Sequence, residues 1–115
     1  MKLRNIATGT AAALIALSTL ALPEAAQARN CGLFGNLKSV NSNQPITVTF
    51  VNRSGMFRHV DWIDYEGRPV SYKGLNPGES YIQQTYVGHP WMIANGPGDC
   101  IDIFIPKQDM TITLR

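Results

Sequence analysis

The chain has 115 residues, 44% of them apolar and 16% charged, with ten basic and eight acidic side chains for a formal charge of +2. That length suits one small domain, and so even a balance of charge excludes a polyanionic partner: Arg53, Arg58, Arg68 and Lys73 are interspersed with acids and form no nucleic-acid arm or basic membrane helix.

The first residues read as a targeting segment. Lys2 and Arg4 precede a nearly unbroken apolar run from Ala11 to Leu22, and Ala26-Gln27-Ala28 offers the small residues that a signal peptidase reads. The run is well short of the roughly 20 apolar residues that span a bilayer, so the expectation is a signal peptide, 1–28, cleaved after Ala28, and no membrane span afterwards. The exported chain, secreted or periplasmic, would keep eight basic and seven acidic residues, a formal +1. Its two cysteines, Cys31 and Cys100, lie near opposite ends, and an oxidising compartment favours joining them. The alternative, two thiols serving a metal or redox centre, lacks a CxxC or Cys/His spacing.

Residues 29–44, rich in Asn, Gly and Ser, read as an irregular lead-in. From Pro45 the pattern changes: Ile46, Val48 and Phe50 alternate with Thr47 and Thr49, the period of a half-buried strand. Asn52-Arg53-Ser54-Gly55 breaks it. A second strand is expected over His59 to Tyr65, with Ile63 and Tyr65 facing the core and Trp62 turned outward beside Asp64. Glu66-Gly67 suits a hairpin turn, Pro69 to Lys73 a return strand, and Asn76-Pro77-Gly78 a further turn. Glu79 to Tyr86, Trp91 to Ala94, Cys100 to Ile105 and Met110 to Leu114 complete about seven strands, with Ile82 and Met92 expected in the core and Trp91 outward. With no helical period of useful length, the expected fold is all-β: a small antiparallel β-sandwich over 45–115.

Both tryptophans and all four tyrosines fall between Trp62 and Trp91, and the stretch ends in Thr85-Tyr86-Val87-Gly88-His89-Pro90-Trp91. Aromatic faces together with a hydroxyl and an imidazole can hold a flat, weakly polar ring such as proline and test it for an oxygen. The same residues also suit plainer roles: core tryptophans, and a loop histidine bonded to backbone. Ser71, Thr85 and Asp64 form no nucleophile motif with His89, and two histidines thirty positions apart are poor metal ligands, so no enzyme activity, metal or cofactor is expected.

The order of these residues carries more than their composition. Asn52-Arg53-Ser54 after a first strand, Val60 then Trp62, Tyr65 then Gly67, Tyr72 with Leu75 and Pro77-Gly78, and Thr85-Tyr86 before Gly88-His89 and Trp91 together resemble the von Hippel-Lindau tumour suppressor β domain, without a gap from Trp62 to Trp91. The resemblance implies recognition of a peptide carrying 4-hydroxyproline. Trp62, Tyr72 and Trp91 would wall the pyrrolidine ring, His89 and Thr85 would hydrogen-bond its hydroxyl, and Tyr86 would border the peptide groove. The family has serine where this chain has Thr85. Nothing after Leu114 matches the helical domain by which the tumour suppressor docks a ubiquitin ligase adaptor, so no such partner is expected. The competing expectation is a structural or assembly domain whose hollow takes no ligand.

Overall fold

The computed structural model describes residues 29–115, so the signal peptide and its cleavage site lie outside the described residues. Seven strands follow a short 3-10 helix at Arg29–Leu33: β1 (Pro45–Asn52), β2 (Arg58–Ile63), β3 (Pro69–Leu75), β4 (Ser80–Tyr86), β5 (Trp91–Ala94), β6 (Cys100–Phe104) and β7 (Met110–Leu114). They form two sheets, ordered β4-β1-β7 and β3-β2-β5-β6. The sandwich is not wholly antiparallel, because β1 and β7 run parallel, Val48 opposite Met110 and Asn52 opposite Leu114.

Period-two alternation in β1 turns Ile46, Val48 and Phe50 inward. There they meet Val60, Leu75, Trp91 and Ile93 of the larger sheet and Ile112 and Leu114 of β7 in the main core. Asn52 continues the inward face and is fully buried. Its amide nitrogen donates to the carbonyls of Met56 (2.8 Å) and Leu75 (2.9 Å), and its Oδ1 accepts from the backbone N–H of Ser54 (3.0 Å) and the Ser54 hydroxyl (2.7 Å). All of the side chain's bonding capacity is therefore spent on fastening the end of β1 to the β1–β2 loop and to β3.

The larger sheet is apolar on both faces. Its outer face carries Ile63, Met92, Ala94 and Ile103 in a second cluster, covered by Leu37 and Cys100. This corrects the expected facing of β2 and β5: Val60 and Trp62 look toward the smaller sheet while Ile63 looks away, and Trp91 fills the main core while Met92 fills the second cluster. Tyr65 lies beyond β2, in the turn that leads to β3. Alternation alone cannot say which face is wet when the chain covers both. In β4 the expected phase is also reversed. Ile82 is 69% exposed, whereas Tyr81 packs on the core and Thr85 is buried.

The outer cover comes from the lead-in, which is thus an ordered third layer rather than an idle approach. A disulfide joins Cys31 to Cys100 across 69 residues, as expected of the chain's one cysteine pair. Asn30 donates from Nδ2 to the Ile103 carbonyl (3.1 Å), and Ser39 N–H donates to the Asp64 carbonyl (3.0 Å). Gly67, at φ +83°, makes the tight β2–β3 turn, where a Cβ would also sit 3.0 Å from the Leu37 carbonyl oxygen. Asp64 Oδ1 closes that turn by accepting the N–H groups of Glu66 (2.8 Å) and Arg68 (2.9 Å). The Arg68 N–H heads the causes that hold the Asp64 carboxyl below the ordinary carboxylate range.

On β2, His59 Nδ1 and Asp61 Oδ1 are buried atoms without a hydrogen-bond partner among the described residues. Burial raises the Asp61 carboxyl above its usual range, and the charge of His59 only partly opposes this. A carboxyl whose folded pKa is raised favours the native state most below its unfolded value of 3.8, and that contribution disappears as the pH climbs through the folded value. Asp61→Asn, which removes the charge and keeps the shape, is accordingly expected to stabilise the fold modestly at neutral pH. Urea unfolding at neutral and acid pH checks this. The advantage must shrink toward acid, and equal midpoints at neutral pH would refute it.

Candidate functional site

Two strands of the larger sheet bring the tryptophans together. In the β2–β5 ladder Trp62 stands directly opposite Trp91, with Trp62 half-buried and Trp91 at 2% exposure. The neighbouring β2–β3 ladder contains a bulge: Val60 pairs with Lys73 and Asp61 with Ser71, leaving Tyr72 as the extra residue. Bulges re-aim a side chain, and this one serves to set the Tyr72 ring edge-on to both indoles, with centroids 6.2 Å from Trp62 and 5.0 Å from Trp91.

The β2–β3 turn and the β4–β5 connection supply further rings. Tyr65 meets Trp62 edge-on at 5.4 Å and His89 at 5.6 Å. His89 in turn lies 5.7 Å from Trp62 and 5.5 Å from Tyr86. Gly88, at φ +91°, allows the chain to turn between Tyr86 and His89 and admits the Val40 methyl that a Cβ would strike at 2.7 Å.

From the facing sheet, β4 contributes Gln83, Gln84, Thr85 and Tyr86. Thr85 Oγ1 accepts the Trp91 indole N–H at 3.0 Å, which explains how a hydroxyl can occupy the inward face and tie the two sheets together. Tyr81, stacked on Phe50 at 5.8 Å, donates a hydrogen bond from its hydroxyl to Gln83 Oε1, and Gln83 Nε2 donates to the Gln84 carbonyl at 2.7 Å. Burial, assisted by Tyr72, pushes the Tyr81 phenol up to about 12, so this donor stays protonated at any physiological pH.

All six residues predicted from the sequence, Trp62, Tyr72, Thr85, Tyr86, His89 and Trp91, line one hollow open to solvent, together with Tyr65, Gln83 and Gln84. Its empty volume is about 440 Å³ including the mouth, enough for a proline-sized ring and its flanking backbone. A second hollow of about 310 Å³ is lined by Ile93, Ile101, Asp102, Phe104, Thr113, Leu114 and Arg115, so it has one aromatic ring where the first has several. Among the described residues no three His, Cys, Asp or Glu side chains gather as metal ligands.

Two polar atoms at the site have partners that the sequence did not advertise. The Trp62 indole N–H donates to Ser39 Oγ at 2.8 Å, and His89 Nε2 lies 3.1 Å from the Val40 carbonyl oxygen. Both partners belong to the lead-in. One acts through a backbone carbonyl, which no residue type signals, and the other through a lone serine in a polar stretch.

The open edges of both sheets flank the hollow. β4 is paired only with β1, and β3 only with β2, so each presents unpaired backbone groups along its outer side. A strand laid against β4 would run past Gln83 to Tyr86 and could send one side chain between the sheets. A family model described as the VHL beta domain matches residues 37–107, a span that contains every residue of the hollow as well as Ser39 and Val40.

Proposed function

The chain belongs to the VHL beta domain family, whose members serve as protein- and peptide-binding modules rather than catalysts, and from that membership we propose that it is an exported module that binds an extended prolyl peptide and reads a hydroxyl on the proline ring. The observation that carries this reading is the convergence of two indoles, three phenols, an imidazole and an alcohol, drawn from both sheets, on a single solvent-open hollow. Export is supported by the apolar N-terminal run in the sequence and by the oxidised pair Cys31–Cys100.

The division of labour follows from the chemistry. Trp62, Tyr72 and Trp91 offer apolar faces and edges to a pyrrolidine ring, and Tyr86 borders the route of the peptide. Thr85, already accepting from Trp91, keeps its own hydroxyl proton free to donate. His89 supplies the complementary acceptor. A ring hydroxyl satisfies both, whereas plain proline leaves each unmet at about 1 to 3 kcal/mol. Together they support a preference on the order of a hundredfold. Backbone pairing along β4 adds affinity that does not depend on the side chain.

Calorimetric titration with matched peptides carrying proline or 4-hydroxyproline tests the reading. The hydroxylated peptide should bind at least about a hundredfold more tightly, and His89→Ala should remove about tenfold or more of that preference while leaving the circular dichroism unchanged. Equal affinity for the two peptides, or no binding at millimolar concentration, would sink it.

A second reading has an observation in its favour. The Trp62 and His89 nitrogens are already satisfied by Ser39 and Val40, as expected of a structural or assembly domain whose aromatic cluster exists for packing. Absence of any fluorescence response from the tryptophans to either peptide would favour that alternative.

A further inference from the structure

The lead-in bonds two of the residues that line the hollow and is anchored on either side of those contacts. Leu37 seats on the second apolar cluster, and the Ser39 hydroxyl donates to the Ile63 carbonyl at 2.7 Å while accepting the Trp62 indole N–H at 2.8 Å. One residue on, the Val40 carbonyl faces His89 Nε2 at 3.1 Å, and the Gln44 carbonyl accepts the Val87 N–H at 3.0 Å. Upstream, the segment is fastened by Cys31–Cys100 and by Asn30. Ser39 is only 4% exposed, so its hydroxyl supports Trp62 from behind the hollow, away from solvent.

We propose that this strap sets the hydrogen-bonding polarity of the hollow, with Ser39 and Val40 as positioning residues for Trp62 and His89. The proposal rests on the peptide-binding reading for its ligand but not for its geometry. A carbonyl oxygen can only accept, so the contact with Val40 requires the proton of neutral His89 to sit on Nε2, and its lone pair then resides on Nδ1. The imidazole therefore offers a ligand an acceptor, while Thr85 offers a donor. One acceptor beside one donor matches a single hydroxyl, which does both. It does not match a keto oxygen or a fluorine, which only accept and would confront the Nδ1 lone pair. Without the strap the ring could turn over and present Nε2–H instead, and the distinction between a hydroxyl and a pure acceptor would fade. Ser39 contributes by holding the Trp62 indole, against which His89 lies at 5.7 Å, and by anchoring the strap one residue before the carbonyl that matters.

The experiment combines side-chain nitrogen NMR of His89 without ligand, at about pH 8 where an ordinary imidazole is neutral, with titrations of peptides carrying 4-hydroxyproline or 4-fluoroproline. The parent should show a protected Nε2–H and should prefer the hydroxylated peptide. Ser39→Ala, and separately the pair Cys31→Ser with Cys100→Ser, should speed exchange of that proton at least about tenfold and lower hydroxyproline affinity about tenfold, narrowing the gap to the fluorinated peptide. Ser39→Thr, which keeps the hydroxyl, should restore both. Backbone amide spectra of β1 and β5 report whether each variant retains the fold. An Nε2–H that exchanges equally fast in the parent, Ser39→Ala and the cysteine pair overturns the proposal. If the parent binds neither peptide yet its Nε2–H is protected and the variants release it, the strap's role stands and the peptide-binding reading falls.

Discussion

Trp91→Ala is expected to lower the unfolding free energy by about 3 to 5 kcal/mol, the range seen when a large buried aromatic side chain is truncated. The side chain is 2% exposed and meets Phe50 of the opposite sheet at 5.9 Å and Tyr72 at 5.0 Å. Its N–H is the hydrogen bond that joins β5 to Thr85 of β4. Removal leaves a cavity at the centre of the sandwich and strips the Thr85 oxygen of its donor in the same stroke. Trp62→Ala provides the contrast. Trp62 is half-buried beside the hollow, so its loss should cost clearly less stability and more affinity. Urea unfolding followed by circular dichroism separates the two. If Trp91→Ala unfolds within about 1 kcal/mol of the parent, far below the truncation range, the ring is not the keystone the packing makes it. Trp91→Phe should fall between, because it keeps a ring and loses the N–H.

Opening the disulfide is expected to cost roughly 4 kcal/mol in the chain-entropy treatment, since the bond closes a long loop that contains β1 to β5. Small domains are stable by about 5 to 15 kcal/mol in total, so the opened chain would sit near the edge of folding. Enthalpic terms could offset part of the loss, and the lead-in's contacts make the measured value informative. Detachment of the strap would expose Ile63, Met92, Ala94 and Ile103, adding apolar surface to the entropic cost. Unfolding of the parent and of the double serine variant in the same urea series measures this. Coincident midpoints would mean that the strap holds without its covalent tie.

The strands were legible in the sequence because their β-branched alternation and glycine and proline breaks are local. β5 and β7 have the bounds read from the chain, and β1 buries the three residues its pattern nominates. Which face is which was not legible in β2, β4 and β5. In β4 the lone aliphatic, Ile82, pointed to the wrong phase, since the inward face instead stacks Tyr81 on Phe50 and gives Thr85 a donor in Trp91 six residues on. In β2 and β5 both faces are covered, and the second cover is a polar-looking segment whose apolar contribution there is Leu37. The hollow was found through the order of its aromatic residues. Tyr65, Gln83 and Gln84 were not nominated for it, and Ser39 and Val40 were missed because a hydroxyl amid serines and a main-chain oxygen carry no distinguishing pattern. The parallel pairing of β1 with β7 lies beyond local reading altogether, because it joins residues 62 positions apart, Val48 and Met110.

That parallel ladder also sets an order of assembly. The β2–β3 and β5–β6 hairpins join near neighbours and can zip as soon as their residues are available, whereas β1 stands in the middle of its sheet and waits for the last strand to reach it. A nascent chain lacking residues 110–114 would carry β1 with one bare edge, an invitation to pair with another copy. Closure of the smaller sheet therefore depends on residues 110–114, and a chain in which they failed to dock would leave an unfinished, adhesive edge.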